Sequence, residues 1–568
     1  MSLAPVYDRP LALPWPWPGA MLAGMSSRIR TRLSRGVVTA AAAVSMTAAA
    51  GGTAVAAPDR ATGGGAGART TAAAIPAISW GACQGKVPAG MECSTITVPI
   101  DYSSPAAGTT TLAAARIPAT DKAHRIGVLM INPGGPGESG VSALPTFAEG
   151  MGPQVRAKFD IVAIDPRGTG GSAHVNCSRP WWVLPVLPAP SPVPTTQDQI
   201  NQQNAWDAHQ RGNCKASGGA LLDHVSTADN ARDMDAVRQS LGEKQISYYG
   251  VSYGTIVGQT FAAMFPSRVR AIVLDGTIDA KALTGPAHGL PAQVRTGQDA
   301  GMSQSIRSSM AQCDKAGPKA CALAPNSLKK YDTVRKLMHT KPIGVPGLQL
   351  TEGYLDTAFG FQSYNPRNFP SMASLVNAIY RLYTAPLDPA TYAAVLNAVV
   401  ATLQSFGVLP AGMGSNYSDY GEIIGLGGGQ QVACADQTSP ATSVFPAVAA
   451  QREKRYPGGG SWVWGYSQCS QWPGSSASSY RGPWNTTLRT PPLILNTTHD
   501  PATPLAGALR TQQTIPGSRL IQVPGWGHGV IGRSTCAQAK TSAYFINRTL
   551  PVDGKCAIDK AFKVYGVS

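Results

Sequence analysis

No apolar run in the body of this 568-residue chain reaches the roughly 20 residues that a membrane-spanning helix needs. Among its ten cysteines there is no C-x-x-C and no cysteine/histidine ligand spacing, so no zinc site, other metal or cofactor is expected. Lysine and arginine outnumber the acids, giving a formal charge of +16, yet no basic cluster interleaved with aromatics occurs. The excess reads as a solvated basic surface, and nucleic acid is not expected as a partner. Part of that excess belongs to the N-terminus, where residues 1–60 hold six arginines against two acids. The Gly-rich stretch NPGGPGESG (132–140) is not followed by G-K-[ST], which excludes a phosphate-binding P-loop there.

What is present begins with an export signal. MSSRIRTRLSR, from Met25 to Arg35, is basic; a weakly apolar Ala/Gly-rich run follows, and Ala54-Val55-Ala56 offers a cleavage site. Residues 1–56 read as leader and signal peptide, with Met25 as the expected start. Residues 57–80 read as a flexible linker or propeptide. The expected product is extracellular, with no stable membrane association after cleavage. In that compartment ten cysteines imply disulfides. They fall as neighbours in sequence, and nearest-neighbour pairing is the simplest arrangement: Cys83/Cys93, Cys177/Cys214, Cys313/Cys321, Cys434/Cys469 and Cys536/Cys556.

The body alternates apolar strands with helical stretches, the pattern of a mostly parallel α/β sheet. Segments 126–132, 159–165, 245–252, 269–276, 492–498 and 519–525 are the expected central strands. STADNARDMDAVRQSLG reads as a helix with Ser226 as N-cap, Asp229 three residues on, and Gly242 at its end. From about 279 to 484 the strand rhythm stops and helical periodicity takes over, as in SLKKYDTVRKLMHT and PATYAAVLNAVVATLQSFG. The expected architecture is a core in two parts, 81–278 and 485–568, with a mostly helical cap at 279–484. Ligand sites in such sheets lie at the strands' carboxyl ends, so the cap is expected to cover the site.

YYGVSYGTIVGQTFAAMFP (248–266) places Ser252 in G-x-S-x-G, with a β-prone run before it and helical spacing after it. That is the context of a nucleophile elbow, in which the serine occupies a strained turn. Glycines two before and two after the serine let strand and helix pack closely. Nucleophilic serine needs a base and a group to orient it, following in the order Ser, Asp, His on this fold. LILNTTHDPATP supplies Asp500 and LIQVPGWGHG supplies His528, each just past a strand. Asp275, at the end of AIVLDG, is the rival acid. His499 is read as a loop histidine, and Thr503 as a support for Asp500. An oxyanion hole needs two backbone N–H groups. One is expected from Tyr253 and the other from NPGGPGESG.

NPGGPGESG, FDIVAIDPRGTGGS, the 248–279 segment, THDPATP and GWGHG, together with QCSQWPG and STCA, resemble secreted actinobacterial tripeptidyl aminopeptidases. These are α/β-hydrolases related to proline iminopeptidases. The resemblance covers residues 80–560 and implies an α/β-hydrolase fold with a large helical cap. It implies Ser252, Asp500 and His528 as triad, and Gly135 with Tyr253 as oxyanion donors. Pro133 stands where iminopeptidases commonly carry histidine, which leaves Gly134 as the alternative donor. The implied activity is that of a serine exopeptidase releasing tripeptides from the free N-termini of peptides or proteins; a carboxylesterase on the same fold is the alternative. Such an enzyme must bind an ammonium, which calls for a carboxylate. Acids are few in the cap, and the candidates are Glu352, Glu422, Asp436 and, in the oxyanion loop, Glu138.

Overall fold

A computed structural model describes residues 77–567 except 86, 176, 178–189, 346–347 and 410–428. The expected leader, most of the linker, and Glu422 lie outside the described residues. No helix among the described residues is long and apolar enough to cross a membrane.

Twelve strands are described. β1 (Gly81–Ala82), β2 (Glu92–Pro99), β3 (Thr109–Ile117), β4 (Gly127–Asn132), β5 (Phe159–Ile164), β6 (Ile246–Val251) and β7 (Val269–Asp275) come first. β8 (Ile343–Val345) and β9 (Leu348–Leu350) form a separate ribbon, and β10 (Leu493–His499), β11 (Arg519–Trp526) and β12 (Gly554–Lys555) close the main sheet. Its order is β1-β2-β3-β5-β4-β6-β7-β10-β11-β12, antiparallel from β1 to the β3–β5 pairing and parallel from β5 onward. The six central strands expected from sequence are β4, β5, β6, β7, β10 and β11, each displaced by at most a residue or so. The antiparallel arm β1–β3 and the short β12 were not among them.

The sheet is buried on both faces, as a parallel sheet covered by helices must be. Leu129, Ile131, Ile161, Tyr249, Val273, Leu495 and Ile521 pack on one side against Phe147, Tyr544 and Phe545. Their alternates Val128, Met130, Val162, Tyr248, Ile272, Leu274 and Ile494 pack on the other against Met234, Val237, Val257 and Phe261. Each such side chain contributes roughly 1.5–3 kcal/mol by leaving water. The helix Thr227–Ser240 starts as the sequence suggests: the Ser226 side chain accepts from the Asp229 N–H, and the Asp229 carboxylate accepts from the Ser226 N–H.

Between β7 and β10 the chain builds a second core of its own. Helices Gln298–Ala316, Ser327–Thr340, Glu352–Gln362, Phe369–Thr384 and Pro389–Ser405 bury Ile306, Met310, Tyr331, Val334, Phe359, Phe369 and Ile379 together. Arg335 joins three of its pieces, bonding Asp356 at 2.7 Å and Glu453 at 2.7 Å, while the Tyr331 hydroxyl donates to Asp356 at 2.8 Å. The cysteines form five bridges, Cys83–Cys93, Cys177–Cys214, Cys313–Cys321, Cys434–Cys469 and Cys536–Cys556. Five bridges fit an oxidising compartment.

Sheet register brings the strand ends that matter to one edge. Asn132 is opposite Gly250, Val251 opposite Asp275, Asp275 opposite Leu495, and His499 opposite Trp526. The loops carrying Gly134, Ser252, Asp500 and His528 all leave from this carboxyl edge.

Candidate active site

Ser252 joins β6 to the helix Gly254–Met264 with φ of 58°. That left-handed geometry costs a non-glycine residue about 1–2 kcal/mol, and fixed bonds hold it. The Ser252 N–H donates to the Asp275 carbonyl at 3.0 Å, and the Ser252 carbonyl accepts from the Thr255 N–H at 2.9 Å and its hydroxyl at 2.6 Å. The flanking glycines make room for a ring. A Cβ on Gly250 or on Gly258 would lie 2.7 Å from Cε1 of Tyr248, whose hydroxyl donates to the Gly254 carbonyl at 2.7 Å.

The loop after β4 runs directly over the serine. A Cβ on Gly134 would stand 2.9 Å from the Ser252 Cβ and 2.8 Å from the Tyr253 nitrogen, so only glycine fits. The Gly134 N–H is already committed to Oδ1 of Asn132 at 2.9 Å. The N–H groups of Gly135 and Tyr253 have no partner among the described residues. Of the two glycines, Gly135 is therefore the one with a donor to offer, alongside Tyr253.

Asp500 follows β10 and is buried. One oxygen accepts from the N–H groups of Ala502 (2.9 Å) and Thr503 (2.7 Å) and the other from Gly529 N–H (3.2 Å). The same carboxylate meets Nδ1 of His528 at 3.0 and 3.1 Å, and the Thr503 hydroxyl stands 3.2 Å from that nitrogen. Burial opposes ionisation of Asp500, but His528 and the two loop N–H groups outweigh it and hold the carboxyl below its usual range. For His528, burial pulls the imidazole down, and the Asp500 charge and hydrogen bond more than offset this, so its pKa is raised. With Nδ1 held by Asp500, Nε2 is the free nitrogen; it is buried and makes no hydrogen bond. A long nucleophile–base contact is common before substrate binds.

Asp275, the rival acid, has another task. Its carboxylate accepts from the N–H groups of Val530 (2.8 Å) and Ile531 (2.9 Å) and from the Tyr249 hydroxyl (2.8 Å). It thereby anchors the turn just after His528 and makes no hydrogen bond to the imidazole. His499 stacks on Trp526, ring centroids 4.4 Å apart, and its Nδ1 lies 3.4 Å from the Ser308 hydroxyl. It is the last residue of β10, paired with Trp526 across the sheet, and not the loop histidine the sequence suggested.

The segment between β7 and β10 adds the other wall, through residues that the sequence did not single out. The Tyr364 carbonyl accepts the His528 N–H at 3.0 Å, and its ring lies 4.7 Å from the imidazole. Gly429 abuts the Pro136 carbonyl so closely that a Cβ would collide with it. Of the four carboxylates proposed for a substrate amine, Glu352 is bound to Nδ1 of His339 at 2.7 Å, within the segment between β7 and β10. Asp436 is buried behind the elbow, accepting from the Tyr253 hydroxyl at 2.7 Å and the Thr227 N–H at 2.9 Å. Glu138 is half-buried, and its carboxylate has no hydrogen-bond or ion-pair partner among the described residues. Glu422 lies outside them. The described residues hold no cluster of three or more His, Cys, Asp or Glu suited to a metal ion.

Chemically, the arrangement offers an accessible serine, an imidazole oriented by a buried carboxylate, and two N–H groups beside the serine. This is the equipment of acyl transfer through an acyl-enzyme. Comparison with known proteins agrees at that level. Residues 127–308 match the α/β-hydrolase fold family, and residues 455–556 match a family described as TAP-like protein. Serine protease Hip1 of Mycobacterium tuberculosis is 28% identical over 505 residues, covering 84% of this chain and 91% of that protein. Carboxylesterase B of the same organism is 28% identical over 509 residues, covering 84% and 89%. The tripeptidyl aminopeptidase of Streptomyces coelicolor is 35% identical over 212 residues, or 36% of this chain and 39% of that one.

Proposed function

We propose that this chain, an α/β-hydrolase with a TAP-like C-terminal segment that is similar to a serine protease over most of its length, is a secreted exopeptidase. It releases short peptides, tripeptides in the first instance, from free N-termini. The observation that carries the chemistry is the Asp500–His528 pair at 3.0 Å, on the same sheet edge as the strained Ser252. In this reading His528 Nε2 takes the Ser252 proton as Oγ attacks the scissile carbonyl. The negative oxygen is received by the Gly135 and Tyr253 N–H groups, and the imidazolium then protonates the leaving amine. Water, deprotonated by the same nitrogen, releases the acyl group and restores the serine. Asp500 holds Nδ1 protonated and stabilises the transient cation. The leader motif and the five bridges support export.

A second reading, a carboxylesterase, is favoured by the likeness to carboxylesterase B over the same share of the chain. Fold and triad are common to both. The deciding experiment compares a tripeptide anilide with a free amine, its N-acetylated form, and a short acyl ester. The exopeptidase reading expects the free-amine substrate to exceed the acetylated one at least 100-fold in kcat/KM. Equal cleavage of the two, or a strong preference for the ester, overturns it.

A further inference from the structure

Resting on the exopeptidase reading, we propose that Glu138 receives the substrate's free α-ammonium. Glu138 lies three residues beyond Gly135 in the loop that passes over Ser252, and its N–H closes that loop onto the Gly134 carbonyl at 3.2 Å. Its stem folds back over the loop: Cγ is 3.2 Å from where a Cβ on Gly135 would be. The side chain therefore leaves from the oxyanion loop over Gly135, and its carboxylate oxygens are unpaired among the described residues. Withdrawing a carboxylate from water is costly unless a cation or donors meet it. The fold observes this rule elsewhere in the site, giving Asp500 and Asp275 a full set of donors and Asp436 a tyrosine and a backbone N–H.

The titratable groups whose charges couple to Glu138 belong to three other elements: His528 after β11, Tyr364 in the turn following Glu352–Gln362, and Tyr466 in the turn before Ser467–Cys469. No titratable side chain accompanies it in its own loop. Burial raises both phenols, Tyr466 to about 12, and the Glu138 charge adds to the effect, so both stay neutral. His528 must be neutral to act as base. The working enzyme thus presents a carboxylate with no permanent cation, carried on the loop that passes over Ser252. Burial pushes Glu138 up to about 7, with His528 acting in the opposite direction. A peptide α-ammonium, which titrates near 8, is the missing counter-charge. A neutral N-acetyl group cannot take its place.

The test measures kcat/KM for the best of aminoacyl, dipeptidyl and tripeptidyl anilides and for its N-acetylated form, in the full chain and in Glu138→Gln. The ratio of free to acetylated substrate is expected to be 100 or more in the native enzyme and to fall below about 10 in the variant. A variant that slows both substrates alike and keeps the ratio overturns the proposal while leaving the exopeptidase reading intact. A native ratio near one overturns both. A second measurement needs no variant: protonation of His528 depresses both substrates equally and cancels in the ratio. The native ratio should fall as pH drops through about 7 and Glu138 is neutralised, and fall again above about 8 as the amine loses its proton. A ratio that stays flat from pH 5.5 to 7.5 overturns the proposal even if Glu138→Gln does not fold.

Discussion

The carboxyl edge of the sheet treats polar groups in opposite ways beneath its loops and on the side that faces the inserted segment. On the sheet edge every buried carboxylate is saturated: Asp500 accepts from Ala502, Thr503, Gly529 and His528, and Asp275 from Tyr249, Val530 and Ile531. Toward the cleft, His528 Nε2, the Gly135 and Tyr253 N–H groups and the Glu138 carboxylate are left single. The saturated set fixes geometry before substrate arrives, which is where most catalytic stabilisation originates. The single set is what substrate completes. The inserted segment contributes mainly shape to that second set, through Tyr364, Gly429 and Tyr466.

The sharpest way to break this division is to remove one member of each kind. Ser252→Ala should lower kcat/KM by about 10⁴-fold or more with the melting temperature retained, since a hydroxyl is lost and the turn accepts alanine at some strain. Asp500→Asn should cost about 10³–10⁴-fold, because an amide facing Nδ1 favours the wrong imidazole tautomer. Asp275→Asn should do the reverse. Its amide presents N–H₂ toward backbone donors, leaving buried groups unsatisfied at a cost of about 1–3 kcal/mol. Activity should then fall far less than in Asp500→Asn. Urea melts and kcat/KM measured side by side decide this. A collapse of activity in Asp275→Asn with normal stability would exchange the two assignments.

The next effect is in pH. Burial lowers the His528 pKa, but Asp500 more than reverses this, so the base titrates above an ordinary histidine. The base form is present only above that pKa, so kcat/KM for an acyl ester with no amine should decline as pH falls through a value higher than 6.5. In Asp500→Asn the raising influence is gone and the residual activity should persist to lower pH. An acid limb that stays in place in the variant would remove Asp500 as its cause.

Much of the sheet edge was legible because it is written in local rules. Ser252 is marked by glycines that Tyr248 requires, Asp500 and His528 by their place after apolar strands, and Thr227–Ser240 by a capping box. Strand β3 escaped notice because the alanine run of TTTLAAARI lacks the bulky alternation that signals a strand. Tyr364, Gly429 and Tyr466 sit in turns or at helix starts more than a hundred residues from their partners, where no periodicity marks them. The commitment of Glu352 to His339 and of Asp436 to Tyr253 is equally invisible. Each pair joins different elements, and an acid's sequence context does not tell whether its partner is present. That is why Glu352, Asp436 and Glu138 looked equivalent until the structure separated them.

The smallest effect tests whether the wall contributes more than shape. Tyr364 touches His528 twice, through its carbonyl to the backbone N–H at 3.0 Å and through its ring at 4.7 Å. Any substitution keeps the carbonyl, so the side chain can be judged alone. Aromatic contacts of this kind contribute about 0.5–1.5 kcal/mol beyond burial. Tyr364→Phe keeps the ring and should stay within about threefold of the native kcat/KM. Tyr364→Ala opens the face of the imidazole to water and should cost about tenfold, seen in kcat more than in KM because the loss is in the base's orientation. If Tyr364→Phe were as damaging as Tyr364→Ala, the phenol and not the ring would be the working part. The inserted segment would then supply chemistry to the site as well as a wall.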